Sequence, residues 1–459
     1  MALDPGFAPA HEGIADVLAL MGRASEAVAE YRHATLLAPE RADTYRRLAF
    51  ALNYHTSATR AEIYAAHLAY AALQQKAHQS TSIHDNDPDP RRRLRVGYVS
   101  GSLRDHADAY FVEPLVAAHD HARVEVFCYS LLPKSTEDVV TSRLRGYMDH
   151  WRRAGHLSAP ALARRITRDR MDVLVDLGGY TSGGSMGVFA MKPAPVQVTW
   201  LGYLNTTGLS SMDYRITDPV VDPPGKGDRY YSERLVRIRA PFLCYRPPEV
   251  APPPADPPFQ SAGHVTFGCF NDLGKLSPDV LGVWGRLLEA VPGSRLIVKT
   301  QAMRDPPTVA DLEGRLATAG FTRERLDLLA WRVHTQHHLA RYGLVDIALD
   351  PFPFAGVTTT CEALWMGVPV VTLLGGTPAG RVGATLLGIV GLDDLVTRTP
   401  EAYIQAATSL ARDPKRLTFL RRTLRGRMQA SRLCAATDFA GELERVYRRL
   451  WRRWCSRTR

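Results

Sequence analysis

Two series of alternating apolar strands and helices, separated by a proline-rich segment, limit what this chain can fold into. Short strands that alternate with helices build parallel, doubly wound sheets, so we expect an α/β fold with two such sheets. The first series has predicted strands at Leu94–Ser100, Val124–Ser130, Val173–Asp176 and Val196–Leu201, with helices at 110–119 and 158–169. The second has predicted strands at Val265–Phe270, Leu296–Lys299, Leu326–Ala330, Val345–Leu349 and Val370–Leu374, with helices at Pro278–Ala290, 309–319 and 337–343.

One stretch of the second series predicts a nucleotide site. After the strand that ends at Leu349, the chain turns through prolines and Gly356, and Thr358–Thr360 then open a short helix with Glu362 in its first turn. Free backbone N–H groups and the helix dipole at such an end suit a phosphate. A carboxylate one turn further on can hold a ribose diol. The spacing of Thr359 and Glu362 also fits a capping box, in which Glu362 would only tie back the helix start.

Polar residues and glycines follow several of the other predicted strands. His106 and its neighbours Asp105 and Asp108 come after the first strand, and glycine-rich loops begin at Gly178, Gly202 and Gly375. In doubly wound sheets the functional groups gather in the loops at the carboxyl ends of the strands. The sequence contains no dinucleotide-binding or Walker A glycine motif. Two such domains in succession are typical of nucleotide-sugar glycosyltransferases.

The first part of the chain is helical and repetitive. Leu3-Asp-Pro recurs as Leu37-Ala-Pro, 34 residues later, which is the period of a tetratricopeptide repeat. One repeat is complete and the next is partial, whereas stable arrays usually need about three. We therefore expect that the chain is truncated or that these helices lean on the next domain. Such helices either form a protein-binding groove or act as a helical cap.

These patterns divide the chain into six predicted stretches. They are a tetratricopeptide-like helical region (1–79), a polar linker (80–93), a first Rossmann-like lobe (94–240), a proline-rich linker (241–262), a second Rossmann-like lobe (263–400) and C-terminal helices (401–459). The six cysteines are scattered without metal-binding spacing, which favours reduced thiols and a cytoplasmic location. No apolar run approaches the roughly 18 residues that span a bilayer, so no membrane partner is expected.

Many ordered motifs in residues 94–452 resemble the catalytic region of the O-linked N-acetylglucosamine transferase family, and the chain is identified as a bacterial member. The motifs are Arg95–Ser100, Asp105–His106, Glu125–Tyr129, Gly179–Thr181, Pro193–Tyr203, Met212–Tyr214, Cys269–Lys275, Thr358–Thr359, Leu364–Gly367, Arg381–Val382 and Leu443–Trp451. The resemblance implies a GT-B fold, a UDP-GlcNAc donor without cofactor or metal, and inverting transfer to Ser or Thr hydroxyls. The protein or peptide acceptor would be held through the repeats and the cleft between the lobes.

The resemblance also implies roles for individual residues. His106 matches an active-site histidine near the acceptor, and Lys275 a phosphate-binding lysine. The remaining donor-binding positions are His338 in the nucleotide pocket, Thr358 and Thr359 at the diphosphate, Glu362 at the ribose, Thr181 and Tyr203 at the sugar, and Asp272, which stands where animal members have glutamine. This difference, with Val357 in place of a histidine, leaves open a fucosyl donor, which plant relatives of similar build use.

The sequence favours three alternative functions less: a metal site, a nucleic-acid or membrane contact, and a non-catalytic scaffold. His334, His337 and His338 lack a carboxylate or cysteine that would complete a metal site. The arginines at 448, 449, 452 and 453 fit a closing helix with a solvated basic face better than a nucleic-acid or membrane contact. A non-catalytic repeat scaffold that binds peptides is the alternative of another class. The retained lysine, histidines and threonine-led helix argue against it.

Overall fold

The computed structural model describes residues 6–78, 84–181, 183–225, 227–330 and 334–458. The helices in these residues are α1 (Ala8–Leu20), α2 (Ala24–Leu37), α3 (Ala42–Ala51), α4 (Arg60–Ala77), α5 (Ala109–Ala117), α6 (Val139–Gly146), α7 (Ala159–Arg168), α8 (Met186–Ala190), α9 (Phe259–Ala262), α10 (Pro278–Ala290), α11 (Pro306–Thr318), α12 (Thr335–Ala340), α13 (Thr358–Trp365), α14 (Val382–Ile389), α15 (Pro400–Ala411), α16 (Pro414–Gln429) and α17 (Ala436–Thr458).

The strands alternate with these helices in two groups. They are β1 (Leu94–Ser100), β2 (Val124–Ser130), β3 (His150–Arg153), β4 (Val173–Asp176), β5 (Val196–Thr199), β6 (Tyr214–Thr217), β7 (Arg234–Arg237), β8 (Thr266–Cys269), β9 (Arg295–Thr300), β10 (Leu326–Ala330), β11 (Ile347–Leu349), β12 (Val370–Leu373) and β13 (Val396–Thr397).

The chain forms two compact units, each built around one sheet. Unit 1 comprises Met1–Pro39, Ala51–Thr59 and Pro247–Ser431, and unit 2 comprises Glu40–Phe50, Arg60–Arg246 and Arg432–Arg459. The helices of the repetitive region are thus shared between the units, with α1 and α2 in unit 1 and α4 in unit 2. The domain bounds given above remain a prediction.

Both sheets are parallel and doubly wound, as the alternation predicts. Unit 2 has the strand order β3-β2-β1-β4-β5-β6-β7, and unit 1 has the order β10-β9-β8-β11-β12-β13. Every described strand pair is parallel. The central strands β4 and β8 are buried along their whole length, and in β1 only Arg95 is partly exposed, as expected for parallel strands that are covered on both faces.

The predicted elements agree with the structure where they are apolar and central. Leu94–Ser100, Val124–Ser130, Val173–Asp176 and Pro278–Ala290 are confirmed residue for residue. The prediction omitted the helices α6, α8 and α9 and the strands β3, β6, β7 and β13. β3 and β7 are edge strands with the sequences His-Trp-Arg-Arg and Arg-Leu-Val-Arg, so neither contains an apolar run. Charged side chains are common on edge strands, because they discourage further pairing.

None of the helices in the described part of the chain combines the length and the apolar character needed to cross a bilayer.

Candidate functional site

The strand order of unit 1 reverses between β8 and β11, which are neighbours in the sheet. From β8 the chain continues to β9 on one side, and from β11 it continues to β12 on the other side, so this pair is the topological switch point of the sheet. A crevice forms at the carboxyl ends of such a strand pair, and ligands bind there. The loop after β8 carries Asn271, Asp272 and Lys275, and the loop after β11 runs from Asp350 to the start of α13. The structure therefore gathers the predicted phosphate-binding residues of the second lobe.

Lys275 is held by its own lobe at two of its three N–H groups. Its ammonium donates to the carbonyl oxygen of Ala355 at 2.9 Å and to Oδ1 of Asn271 at 3.2 Å. It also lies 4.6 Å from the ring centroid of Phe354. Burial lowers the pKa of Lys275, and the negative charges of Asp350 and Asp272 oppose that change. The charged side chain thus has a fixed position and one N–H group not used by the described residues.

The N-terminus of α13 lies beside this lysine. Thr359 Oγ1 donates to the same Asn271 oxygen at 3.0 Å, so Asn271 joins the lysine and the helix start. The residue before the helix is Val357, which provides no side-chain cap. In the described residues no protein acceptor takes the backbone N–H groups of Thr358, Thr359 or Thr360. Uncapped N–H groups at a helix start form an anion site.

Asp350 shapes the loop that leads into α13. Its carboxylate accepts hydrogen bonds from the backbone N–H of Gly356 at 2.6 Å and from Thr372 Oγ1 at 2.7 Å. Burial raises the pKa of Asp350 to about 6, although these hydrogen bonds and the charge of Lys275 favour the ionised form. A Cβ atom on Gly356 would come within 2.9 Å of Asp350 Oδ1 and closer still to two threonine hydroxyls. Glycine is thus required for this tight turn.

Glu362 of α13 and His338 of α12 form a buried polar group in the same unit. His338 Nε2 lies 2.8 Å from Glu362 Oε2, and the Tyr342 hydroxyl donates to the same oxygen at 3.1 Å. The capping-box interpretation of Glu362 is therefore wrong, because its carboxylate turns to His338 and Tyr342 and the residue that precedes the helix is Val357. Its other oxygen, Oε1, accepts no hydrogen bond from the described residues.

Asp272 has a local role. Its carboxylate accepts a hydrogen bond from the backbone N–H of Gly274 at 2.8 Å and so stabilises the short turn that carries Lys275. Helix α1 packs on this turn, since a Cβ on Gly274 would meet the Ala19 carbonyl at 3.2 Å. Direct contact of Asp272 with a donor remains a prediction.

Unit 2 has its switch point between β1 and β4, and His106 lies in the loop after β1. Its side chain is 44% exposed. Nδ1 of His106 faces both the backbone N–H of Asp108 at 3.2 Å and the Asp108 carboxylate at 3.5 Å. Burial raises the pKa of Asp108, and His106 and Ser102 oppose that rise. Asp105, in contrast, donates its backbone N–H to Asp138 and accepts from the Tyr110 hydroxyl at 3.5 Å. Asp108 is thus the carboxylate that can orient the ring.

Thr181 lies in the loop after β4. Its hydroxyl donates to the carbonyl oxygen of Gly178 at 2.7 Å. The buried Asp176 carboxylate supports the same loop by accepting from the backbone N–H groups of Gly178 and Gly179. Thr181 and His106 therefore lie in the two loops at the switch point of unit 2, as the sequence led us to expect for functional residues. Their contacts with a ligand remain a prediction.

Tyr203 follows β5, but its ring points into the core of unit 2. The side chain is 4% exposed, its hydroxyl bonds to His67 Nε2 at 2.6 Å, and its ring stacks on Tyr180 with centroids 5.0 Å apart. A sugar-binding role for Tyr203 remains a prediction, and within this arrangement its backbone is the part that borders the loop.

Four contributors to the unit 1 site were not assigned from sequence: Asn271, Asp350, Lys299 and Tyr342. The first three are polar residues at the carboxyl end of a strand, since Asn271 lies two residues after β8, Asp350 directly follows β11, and Lys299 is the last residue but one of β9. That position is a usable signal, since functional groups of parallel sheets gather there. Tyr342 gave no such signal.

In the described residues no group of three or more His, Cys, Asp or Glu side chains has the arrangement of a metal site. His334 and His337 contact each other edge to face, with ring centroids 5.6 Å apart, while His338 turns to Glu362.

Comparison with solved structures defines the class of fold. The chain is similar to a mutant of Thermobaculum terrenum O-GlcNAc transferase, with a TM-score of 0.93, 41% identity and coverage of 100% of this chain and 86% of that one. It also shares its fold with the sucrose-phosphate synthase of Thermosynechococcus elongatus, with a TM-score of 0.53 at 14% identity over 78% of this chain and 99% of the other. Together with the two doubly wound sheets, these likenesses define a protein of the GT-B glycosyltransferase class.

The sequence comparisons then give the family. The model of glycosyl transferase family 41 matches residues 47–245 and 260–443. A Solanum lycopersicum protein named "Probable UDP-N-acetylglucosamine--peptide N-acetylglucosaminyltransferase SPINDLY" is 41% identical over 88% of this chain and 44% of its own length. This chain belongs to glycosyl transferase family 41, and the predicted resemblance is confirmed. It spans about 44% of the length of this curated relative.

Proposed function

We propose that this chain is an inverting glycosyltransferase that moves N-acetylglucosamine from UDP-GlcNAc to Ser or Thr hydroxyls of proteins without a metal ion. One observation carries the proposal. Lys275 and the uncapped start of α13 are held together through Asn271, and both have N–H groups not used by the described residues. The names of the relatives from Solanum lycopersicum and Thermobaculum terrenum support this donor and this type of acceptor.

The leaving group explains why these N–H groups matter. When the bond between the anomeric carbon and the phosphate oxygen breaks, negative charge grows on the departing UDP. Lys275 and the N–H groups of Thr358–Thr360 are fixed before the reaction, so they can stabilise that charge with little reorganisation. A fixed ammonium and a helix N-terminus supply what a divalent cation provides in other transferases, which supports the metal-independent mechanism.

The nucleoside would be held by the buried polar group of the same unit. His338 and Tyr342 both bind Glu362 Oε2, and this leaves Oε1 to accept hydrogen bonds from the ribose hydroxyls. Since the two nitrogens of His338 face Lys299 and Glu362, we infer that His338 offers the nucleotide its ring face.

We assign the acceptor chemistry to His106. The acceptor hydroxyl attacks the anomeric carbon, its oxygen forms the new glycosidic bond, and its proton must pass to a base. Imidazole titrates in the appropriate range. In the free protein the backbone N–H of Asp108 donates to Nδ1, so for Nε2 to accept the proton of the hydroxyl, Nδ1 must first be protonated and face the Asp108 carboxylate, which lies 3.5 Å away. The alternative role for His106 is to position the acceptor.

We further propose that the N-terminal helices help to recruit the protein acceptor, as the 34-residue recurrence suggests. A cytoplasmic location is supported by six cysteines that are all free thiols.

The decisive experiment is a donor panel. UDP-GlcNAc, UDP-glucose, UDP-galactose and GDP-fucose would be titrated calorimetrically, and each would then be tested for transfer to a serine peptide and for hydrolysis without acceptor. We expect tightest binding and transfer with UDP-GlcNAc. Preference for GDP-fucose would contradict the proposed donor. Absence of binding and hydrolysis with all four donors would contradict the enzyme and favour the peptide-binding scaffold.

A further inference from the structure

Lys299 is a buried cation of unit 1 to which the proposed function gives no role of its own. It lies near the carboxyl end of β9, has no exposed surface, and its ammonium is 5.1 Å from the ring centroid of Phe270. Burying an ammonium is costly unless other groups stabilise the charge. The electron-rich face of Phe270 supplies part of that stabilisation. A lysine buried in such a place is therefore expected to use its charge.

The contacts of Lys299 lead directly to the nucleotide pocket. Its ammonium forms a hydrogen bond with His338 Nδ1, and His338 Nε2 lies 2.8 Å from Glu362 Oε2. A lysine ammonium can only donate, so Nδ1 of His338 must be the acceptor. A neutral imidazole has one N–H group, which must then be on Nε2 and must donate to Glu362. The contacts thus fix one tautomer of His338 and one orientation of the Glu362 carboxylate.

We propose that Lys299 is a positioning residue of the nucleotide site, which holds His338 as the Nε2–H tautomer and directs Glu362 Oε1 toward the ribose of the bound nucleotide. This inference rests on the proposed function, because it concerns the same pocket. Without the ammonium, His338 could rotate or change tautomer, and Glu362 Oε2 would keep only the Tyr342 hydroxyl as a fixed partner.

The charge of Lys299 gives this role a pH dependence. Burial lowers the pKa of Lys299 to about 8, the negative charge of Glu362 opposes the change, and the positive charge of Arg341 adds to it. His338 and the Tyr342 hydroxyl are the other titratable groups around Glu362 in this cluster. An ammonium near an anionic nucleotide favours binding, so binding is strongest while Lys299 is protonated. Affinity should therefore fall as the pH rises above about 8.

The tautomer can be tested in the free protein. Nitrogen-15 NMR of labelled histidine side chains, with the His338 signals assigned by their loss in His338→Asn, reports which ring nitrogen carries the proton. We expect wild-type His338 at pH 7 to have an unprotonated Nδ1 and a protonated Nε2, and Lys299→Met to change these signals. A protonated Nδ1 in the wild type would overturn the proposal, and this result requires neither a bound nucleotide nor a folded Lys299 variant.

The second measurement is the affinity for UDP, determined by calorimetry from pH 6.5 to 9.5. It compares the wild type with Lys299→Met, Lys299→Arg and the matched control Lys415→Met, which lies on the exposed surface of α16. We expect wild-type affinity to fall above pH 8, Lys299→Met to bind about tenfold more weakly at pH 7 without that fall, and Lys299→Arg to bind well without it. A merely structural lysine would leave the wild-type profile flat, and that outcome overturns the proposal. Failure of UDP to bind even the wild type contradicts the proposed function, whereas normal binding by Lys299→Met contradicts only the inference.

Discussion

The two switch points of this molecule are built very differently. In unit 1, the side chains of His338 and Glu362 are 2% and 7% exposed, and the ammonium of Lys275 has two hydrogen bonds to its own lobe. In unit 2, His106 is 44% exposed, and its ring nitrogen lies 3.5 Å from its carboxylate partner. One site is closed and densely bonded, and the other is open to water.

This difference fits the two tasks that we propose. The nucleoside diphosphate is the same in every reaction cycle, so a rigid set of hydrogen-bond donors and acceptors can bind it. Preorganised charge stabilises such a ligand most where water is excluded. A protein acceptor varies in sequence and must bring its own hydroxyl, so an exposed histidine leaves room for it. Mutations in unit 1 should therefore change donor binding and bond cleavage, and mutations in unit 2 should change transfer alone.

The largest expected effect tests the open site. His106→Ala should lower sugar transfer roughly 10²–10⁴-fold, because the acceptor loses its base or its positioning group. UDP affinity, measured by calorimetry, should be unchanged. His156→Ala, which alters another exposed histidine of unit 2, is the control and should transfer at the wild-type rate. Turnover of His106→Ala close to wild type would exclude both roles.

The next effect tests the closed site. Lys275→Ala should reduce both transfer and acceptor-free donor hydrolysis about 10²–10³-fold, since the departing diphosphate loses a preorganised positive charge. Both rates can be followed by UDP release. Lys415→Ala removes an exposed lysine of the same unit and should change neither rate. If Lys275→Ala lost transfer but kept hydrolysis, the contrast between the two switch points would be wrong.

A smaller effect is expected at the ribose. Glu362→Ala should weaken UDP binding by about 1.5–3 kcal/mol, the contribution of hydrogen bonds to a charged group. The variant should also unfold at a lower temperature, because His338 and Tyr342 lose a buried acceptor. Calorimetry beside a thermal melt separates the two effects, with Glu401→Ala on the exposed surface of α15 as control. Unchanged affinity with reduced stability would leave Glu362 a structural residue only.

The smallest expected effect concerns metal. A chelator should leave the wild-type transfer rate unchanged, because Lys275 and the start of α13 supply the positive charge. The transfer assay would be run with EDTA and again after manganese is added. Loss of activity with EDTA and recovery with manganese would show that unit 1 does not by itself stabilise the leaving group.

For the unit 1 site, the sequence predicted the residues but not the hydrogen bonds between them. Lys275, Thr358, Thr359, Glu362 and His338 were assigned from motifs, and the structure gathers them at one switch point. The bonds between them were not predictable, because they join residues far apart in sequence. Lys299 lies 39 positions from His338, and Lys275 lies 80 positions from Ala355.

Tyr203 shows what the resemblance could not foresee. The resemblance assigned Tyr203 to the sugar pocket, which remains a prediction, and the structure adds that its ring packs among His67, Tyr180 and Phe50, two of which come from the N-terminal helices. No local pattern could show that α3 and α4 would cover this loop. The capping-box interpretation of Glu362 failed for a similar reason, because the carboxylate binds His338 and Tyr342, which precede α13 by about 20 residues in the chain.

The sequence alone determined the alternation of strands and helices, the two parallel doubly wound sheets and the loops that carry the polar residues. The periodicity of apolar residues and the order of the elements along the chain suffice for this, because the carboxyl ends of parallel strands share one edge of a sheet. The tertiary structure alone decided which oxygen of Glu362 is occupied, that Lys299 is buried against His338, and how the N-terminal helices divide between the units. Hydrogen-bond direction and burial depend on contacts between distant residues, and those contacts exist only in the folded chain.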